Sequence, residues 1–397
     1  MSIPIVLMFI IGFNLQSGIF IVGPLLPDLV RDLAISGTTA GALVAIPPFM
    51  MGLGAIPGAA LANRLGPGRT IAIGMAVIGV TGALRGLAPS WPVMLLLTIL
   101  FGGGIGFMQP AGPAYIRQRF GAQIGSTTSV YTFGLVTGII IASSLAGPVI
   151  APLAGGWRGA FLFWGALAVV AAVLWLTAAK DSSAEARPTD DAIRQESATW
   201  SPWRQRVVWL AAGLYASQGI VFFLLGSWLP AVYEEAGYST GAIGARMLVL
   251  TAASLPAILI LPAWAARSGS LRLPLIVSAA LTLVGAIGFF TATSAAAVDW
   301  LWPLLAGFGV GGILVLVLVF AAEVAPPGKT GETAGMVLAV GYTTTALGPF
   351  LAGLIRDLSG GFQSALLVLP VVAFAMLLLS LAMPRLDQRA AAPLQAE

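Results

Sequence analysis

The chain has no cysteine and no histidine among its 397 residues, and charged side chains make up only 9% of it. These absences exclude disulfide bonds, thiol and imidazole nucleophiles, and the usual ligands of zinc, haem and iron–sulfur clusters. A soluble protein carries about a quarter charged residues, so too few charges are present to cover a surface that faces water. Together with 58% hydrophobic residues, the composition predicts a membrane protein that is not an enzyme and has no metal or cofactor.

Long apolar runs are what the chain has instead. A bilayer core about 30 Å thick needs roughly 20 apolar residues per helix, and twelve runs of this kind follow one another. They predict an all-α membrane fold, because a barrel would show short alternating segments. The predicted spans are residues 4–30, 38–62, 70–88, 92–113, 125–148, 157–178, 207–230, 241–265, 273–293, 300–322, 331–353 and 363–383.

The lysines and arginines predict the orientation of these spans. If the N-terminus is cytoplasmic, 14 of the 19 basic residues fall in cytoplasmic segments. This excess predicts that both termini lie in the cytoplasm. The remaining five basic residues are Arg31, Arg85, Arg158, Arg246 and Arg356.

A polar segment near the middle divides the sequence. Residues 179–206 contain many charges and almost no apolar side chains, which predicts a cytoplasmic linker. We therefore expect an N-terminal six-helix bundle at 1–178, a C-terminal six-helix bundle at 207–383 and a cytoplasmic tail at 384–397.

An internal repeat supports two related halves. A shift of 203 positions superimposes identical residues at equivalent helix ends, and a shift of 201 superimposes two Gly-Pro pairs, Gly147-Pro148 and Gly348-Pro349. Two homologous halves around a central path are expected of a carrier that works by alternating access. The pairs at the first shift are Pro27 and Pro230, Ser36 and Ser239, Gly41 and Gly244, Arg64 and Arg267, Gly66 and Gly269, and Arg69 and Arg272.

The loop after the second predicted span carries a family resemblance. Its sequence, GAALANRLGPGR from Gly58 to Arg69, resembles the signature loop of the major facilitator superfamily, Gly-x-Leu-Ala-Asp-Arg-x-Gly-Arg-Arg. Asn63 replaces the family aspartate, which in the family helps to latch one conformation. The resemblance implies a twelve-helix carrier. It also implies conformational roles for Asn63, Arg64, Gly66, Arg69 and Arg267 in the loops, and for Gly147, Pro148, Gly348 and Pro349 where helices five and eleven bend.

A narrower resemblance lies between the fourth and fifth spans. The segment PAYIRQRF from Pro113 to Phe120, followed by Tyr131, is similar to the cyanate and 2-nitroimidazole transporter family. An arginine near the outer end of helix three, matched by Arg85, also fits that family. The resemblance implies a small solute as substrate.

Two arginines inside apolar runs are the strongest candidate site residues. Counting about 1.5 Å per residue, Arg85 and Arg246 both lie roughly 9 Å to the predicted outer side of the membrane midplane, one in each half. Charges in a span are costly and often mark a transport pathway. Two interpretations remain open: each side chain extends to the outer headgroups, or the pair clamps an anion with bidentate guanidinium geometry.

The other polar residues of the spans favour an anionic or neutral substrate. Every acidic residue of the apolar runs falls near a helix end, whereas carriers of cations usually need an embedded carboxylate. Uncharged polar residues either join helices by hydrogen bonds or line the substrate cavity. These candidates are Gln16, Gln109, Tyr131, Gln218 and Tyr342.

The sequence as a whole predicts a secondary active transporter for a small anion, such as a cyanate-, nitrite- or carboxylate-like solute. No phosphate-binding loop is present, so ATP is not the predicted energy source. The alternatives are an efflux carrier for neutral lipophilic drugs such as nitroimidazoles, and a non-transporting membrane sensor built on a carrier scaffold. We expect a monomer whose partners are the lipid bilayer and a small-molecule substrate, and no nucleic acid.

Overall fold

The computed structural model describes residues 3–178, 200–291, 297–326 and 329–384. Within these ranges, eleven helices are long and apolar enough to cross a membrane, and one shorter apolar helix lies between the eighth and ninth of them. The prediction of an all-α fold with twelve spans is therefore confirmed. In chain order the helices are α1 (Ile3–Asp32), α2 (Gly37–Leu65), α3 (Pro67–Arg85), α4 (Trp91–Phe120), α5 (Ile124–Ala154), α6 (Trp157–Ala178), α7 (Arg206–Glu235), α8 (Thr240–Ser268), α9 (Arg272–Gly288), α10 (Val298–Val324), α11 (Thr330–Ser359) and α12 (Gln363–Ala382).

Glycine ends α2 and α8 at positions that the internal repeat equates. Gly66 has a φ of 85° and Gly269 a φ of 70°, a backbone region that side chains with a Cβ rarely adopt. The side chains of Arg64 and Arg267 are exposed beside them, as are those of Asn63 and Arg69 in the first of the two loops. Both helices thus end at a glycine with positive φ, although Gly66 has a ψ of 148° and Gly269 a ψ of 15°. The conformational role of these loops stays a prediction.

The two Gly-Pro pairs coincide with interruptions of their helices. Gly147-Pro148 lies in a π-helical turn, Ala146–Ile150, inside α5. Gly348-Pro349 follows a break at Ala346, after which α11 continues as Leu347–Ser359. Proline has no N–H to donate to the preceding turn, so a change of helix geometry is expected there. The interruptions lie where the sequence predicts bends.

Contacts between Cα atoms divide the chain into two compact units. The first comprises Met1–Arg187, Phe223–Leu248 and Thr345–Ala365, and the second comprises Pro188–Phe222, Val249–Thr344 and Leu366–Glu397. The first unit therefore contains parts of α7, α8 and α11 in addition to α1–α6. The predicted division into bundles at 1–178 and 207–383 stays a prediction. Most of the predicted linker and all but the first residue of the predicted tail, residues 179–199 and 385–397, lie outside the described residues.

Three helix pairs pack closely within the first unit, and each joins an early helix to a late one. Gly23 of α1 lies against the backbone of Gly226 in α7, and Gly41 of α2 lies against the carbonyl of Pro349 in α11. In the third pair, Gly244 of α8 meets the backbone of α5. None of these glycines has room for a Cβ, so only glycine allows backbones to approach this closely.

A carboxylate from α11 caps the N-terminus of α2. The Asp357 Oδ1 atom accepts a hydrogen bond from the Gly37 N–H at 2.6 Å, and Oδ2 accepts from the Thr38 N–H and from Thr38 Oγ1, both at 2.7 Å. The first N–H groups of a helix have no partner within the helix and carry a partial positive charge, so a carboxylate stabilises them. Asp357 thus fixes one end of the α2–α11 pair. The name "capped end" is used below for this end of the first unit.

The second unit has its own apolar core. Leu261 of α8, Leu275 of α9 and Phe320 of α10 are almost completely buried in one cluster with residues of α7, α11 and α12. The Arg272 guanidinium also donates a hydrogen bond to the Leu381 carbonyl oxygen at 2.6 Å, which ties the start of α9 to the end of α12.

Replacing Asp357 with alanine is expected to loosen the capped end. Loss of a helix cap costs about 0.5–2 kcal/mol, so the midpoint of thermal unfolding should fall. In a chain without native cysteine, a cysteine introduced at the buried position Ala352 should also react faster with a maleimide when Asp357 is absent.

Asp28→Ala is the matched control, because Asp28 pairs with Arg31 on an exposed surface where such pairs contribute little. Equal labelling rates in the Asp357→Ala and Asp28→Ala backgrounds would show that the cap does not hold this end closed.

Candidate functional site

Arg85 is the last residue of α3, and its side chain is completely enclosed. The residue is 1% exposed, and its guanidinium carbon lies 4.0 Å from the ring centre of Phe101 and 4.7 Å from that of Phe161. The Nη2 atom donates a hydrogen bond to the Gly18 carbonyl oxygen at 2.7 Å. The alternative that Arg85 extends to the headgroups is therefore wrong, because aromatic rings of α4 and α6 hold the cation inside the bundle.

The positive charge of Arg85 has no carboxylate beside it in the described part of the chain. Its compensation comes from a backbone carbonyl and from the two ring faces. The Nε atom is buried and makes no hydrogen bond within the described residues. A buried charge without an opposite charge is energetically costly, so Arg85 is an unusual residue for a membrane helix to bury.

A small cavity lies next to Arg85. Its apolar walls include Ile21, Ile78 and Ala168, and its polar lining residues are Arg85, Asn14 and Trp164. The cavity has room for about one water-sized group. It is therefore too small, as it stands, to enclose a drug-sized molecule.

Asn14 and Trp164, which both line the cavity, each have a buried polar atom without a hydrogen-bond partner among the described residues. Both residues are 4% exposed. The Asn14 Nδ2 atom donates to the Ile10 carbonyl oxygen at 2.9 Å, which leaves Oδ1 as an acceptor without a partner. The Trp164 Nε1–H group is likewise a donor without a partner among the described residues. Buried polar atoms are normally paired, so these two atoms and Arg85 Nε are exceptions, and all three belong to residues that line the cavity.

Sequence reasoning missed both of these residues. Asn14 could have been found, since an amide in an apolar span is costly to bury without a purpose. The candidates predicted from the sequence include its neighbour Gln16 but not Asn14. Trp164 had no usable signal, because tryptophans are frequent in membrane helices and only the fold brings this one to Arg85.

Arg246 occupies a different setting. It is 7% exposed, so it too does not extend into solvent, and its guanidinium carbon lies 4.3 Å from the ring centre of Tyr238 and 5.7 Å from that of Tyr233. Its Nη1 atom donates to the Ala242 carbonyl oxygen at 3.3 Å. These contacts come from α7, α8 and the turn between them, whereas those of Arg85 come from α1, α4 and α6. A clamp formed by the two arginines stays a prediction.

The remaining predicted site residues lie in both units. In the first unit, Gln16 and Tyr131 are buried and Gln109 is half-buried; in the described chain, none of the three lines the cavity beside Arg85. In the second unit, Gln218 is buried, and the ring of Tyr342 packs edge-on against Tyr215, with 5.4 Å between the ring centres. Substrate contact by these five residues stays a prediction.

Comparison with known proteins identifies the family. The model of the Major Facilitator Superfamily matches residues 8–349. The chain belongs to the major facilitator superfamily. The expectation drawn from the Gly58–Arg69 loop is thereby confirmed, and the protein is a multi-pass membrane transporter by family and fold.

Individual relatives agree with this assignment. The chain is 28% identical over 355 residues to the cyanate transport protein CynX of Escherichia coli, covering 89% of this chain and 90% of the relative. It is also 28% identical over 364 residues to the 2-nitroimidazole transporter of Escherichia coli, covering 90% and 89%. The resemblance predicted from the Pro113–Phe120 segment is confirmed. Among solved structures, a D-xylose–proton symporter has the same fold, with a TM-score of 0.77, 15% identity and coverage of 96% of both chains.

Adding a methyl group at Gly18 is expected to disturb the packing around Arg85. An alanine Cβ there would lie 2.7 Å from Phe101 Cζ, and overpacking a buried contact typically costs about 1–3 kcal/mol. The Gly18→Ala protein should therefore unfold at a lower temperature than the wild type.

Gly103→Ala is the matched control in the neighbouring helix α4. Its Cβ would meet nothing nearer than Met50 Cε at 3.7 Å, and alanine in a helix is favoured over glycine by up to about 1 kcal/mol. The idea of a tightly packed Arg85 environment fails if both alanine variants unfold at the same temperature or above the wild type.

Proposed function

We propose that this protein is a secondary active transporter that moves a small anion, cyanate-, nitrite- or carboxylate-like, across the bacterial inner membrane by alternating access. The observation that carries the proposal is a completely buried Arg85 beside a cavity, with no carboxylate beside it in the described chain. The proposed carrier works as a monomer, with both termini in the cytoplasm.

The energetics of a buried cation support an anionic substrate. Removing a charge from water costs several kcal/mol even after the protein relaxes, and a cation–π contact returns only about 0.5–2 kcal/mol. A bound anion would add the missing opposite charge and accept a charge-assisted hydrogen bond from Arg85 Nε. The site is therefore complementary to an anion and repels cations.

The size of the cavity and the name of one relative also support a small anion as the substrate. Pockets for drug-sized ligands are typically about 300–1,000 Å³, far larger than a space for about one water-sized group. One relative is named a cyanate transport protein, and its alignment covers 89% of this chain. Cyanate is a small anion of the class proposed here.

Closure of the capped end supports alternating access. A solute that enters from this end needs the three helix pairs described above to separate, and the Asp357 contacts to α2 must break with them. Arg246 lies in α8, one of the paired helices, and we propose it as the second arginine that the substrate meets. Its part is tested independently of Arg85.

A neutral nitroimidazole is the second candidate substrate. The observation that favours it is the 28% identity to a 2-nitroimidazole transporter. A nitro group also presents acceptor oxygens to a guanidinium. Only the anion model makes transport depend on the charge of Arg85.

Replacing Arg85 with glutamine is expected to abolish anion uptake at low substrate concentration. A hydrogen bond to a charged group contributes about 1.5–3 kcal/mol, which is roughly a 10- to 100-fold loss of affinity. Uptake of labelled cyanate, nitrite and acetate into proteoliposomes measures the effect. The Arg85→Lys variant keeps the positive charge but loses the paired N–H donors of the guanidinium, so its uptake should lie between those of the wild type and Arg85→Gln.

Arg158→Gln is the matched control, because Arg158 donates to the carbonyl oxygens of Gly86 and Ala88 at a helix end and does not line the cavity. The Arg158→Gln variant should transport anions as the wild type does. The Arg246→Gln variant measures the contribution of the second arginine to uptake separately from that of Arg85. Anion uptake that survives both Arg85→Gln and Arg246→Gln unchanged would refute the proposal. Uptake of 2-nitroimidazole alone would favour the second candidate, and binding without flux would favour a sensor.

A further inference from the structure

An exposed pair of tryptophans marks the start of α7. The ring centres of Trp203 and Trp209 are 5.9 Å apart, with an angle of 66° between the ring planes. The Trp209 Nε1–H group donates a hydrogen bond to the Trp203 carbonyl oxygen at 3.0 Å. The two residues are 53% and 46% exposed, so the pair presents apolar ring surface to the outside of the protein.

Backbone hydrogen bonds hold the two rings in place. Pro202–Arg204 forms a 3₁₀ turn, and the Gln205 N–H closes it by donating to the Pro202 carbonyl oxygen at 3.1 Å. The Trp209 N–H donates to the Gln205 carbonyl oxygen at 3.3 Å, where α7 begins. The turn and the first turn of the helix therefore fix Trp203 and Trp209 relative to each other.

The rest of α7 is enclosed. From Val207 to Tyr233, Trp209 is the one exposed residue, and its neighbour Val208 is 1% exposed and belongs to the core of the second unit. A helix of 30 residues is about 45 Å long, compared with about 30 Å for the bilayer core. The ends of α7 therefore extend into the headgroup layers, and the tryptophan pair lies at one of these ends.

Two exposed arginines accompany the pair. Neither Arg204 nor Arg206 forms an ion pair or a side-chain hydrogen bond with any residue that the structure describes. Arg206 lies three positions before Trp209, a spacing that makes side chains neighbours on a helix surface. The sequence has no acidic residue between Glu196 and Glu234, so this segment carries only positive charge.

We propose that Trp203, Arg204, Arg206 and Trp209, here called the tryptophan junction, bind an anionic phospholipid. The two guanidinium groups donate hydrogen bonds to the phosphate oxygens. The indole rings lie against the glycerol and the first acyl carbons, since tryptophan combines an apolar body with a polar N–H group and is enriched at the membrane interface.

A phospholipid matches the junction better than a soluble anion does, because it brings both a negative charge and an apolar part. A free phosphate would leave the two exposed rings uncovered. A zwitterionic lipid adds an ammonium group, for which the segment offers no carboxylate. The junction belongs to the second unit and Arg85 to the first, so the inference does not depend on the proposed function.

The test uses the full chain in detergent, carrying Ser201→Cys labelled with a fluorophore that senses its environment. The chain has no native cysteine, so the signal comes from the junction alone. Dioleoylphosphatidylglycerol should give a saturable change, and dioleoylphosphatidylcholine should bind at least about tenfold more weakly. Glycerol 3-phosphate should give no change at the lipid concentrations that saturate the signal.

The double variant Arg204→Gln/Arg206→Gln should bind phosphatidylglycerol about 25-fold more weakly, because a basic residue near the membrane surface contributes about fivefold in affinity. Trp203→Ala should weaken binding about fivefold if the lipid covers about 40 Å² of the ring. Arg117→Gln/Arg119→Gln is the matched control, since it removes the same charge from exposed positions at the end of α4. Its affinity should stay within about twofold of the wild type.

Three results would each overturn the inference. Equal affinity for the two phospholipids would make the junction a general interfacial anchor. An equal loss in the two double arginine variants would reduce the effect to the net charge of the protein. Glycerol 3-phosphate that binds as tightly as phosphatidylglycerol would identify a site for a soluble anion instead of a lipid.

Discussion

The proposed chemistry of this protein depends on the guanidinium group of Arg85, which apolar helices enclose and which has no carboxylate beside it in the described chain. The packing around Arg85 follows from the need to stabilise that charge where water is absent. Gly18 supplies a carbonyl oxygen, and the rings of Phe101 and Phe161 supply their faces. These contacts are weaker than an ion pair, and the polar cavity beside them gives an opposite charge somewhere to bind.

The same membrane environment explains how the helices associate. Hydrophobic burial does not drive helices together in lipid, so close backbone approach and capped polar groups have to do so. Gly23 and Gly41 allow the approach, and Asp357 caps the start of α2 from a helix about 320 residues later. Each of these contacts joins a helix of the first predicted half to a helix of the second, which makes the capped end a product of both predicted halves.

Much of the fold could be predicted from the sequence because long apolar runs have few alternatives in a bilayer. Gly66 and Gly269 both end a helix with a positive φ, at positions that the internal repeat equates. The site was harder to predict. Arg85 could be found because a charge in an apolar run is rare, but its ring partners and Trp164 could not, since one sequence carries no record of which helices are neighbours. The cap by Asp357 was hidden for the same reason.

The buried cation of Arg85 also has a consequence for the electrical character of the proposed transport cycle. An anion bound at Arg85 gives a neutral complex, whereas the vacant site keeps a full positive charge. Carrying the anion by itself therefore displaces charge, and a negative-inside voltage of about 100 mV opposes inward movement by about 2.3 kcal/mol. Accumulation inside the cell would need a companion cation such as a proton, whereas release of the same solute to the outside would be driven by the voltage itself.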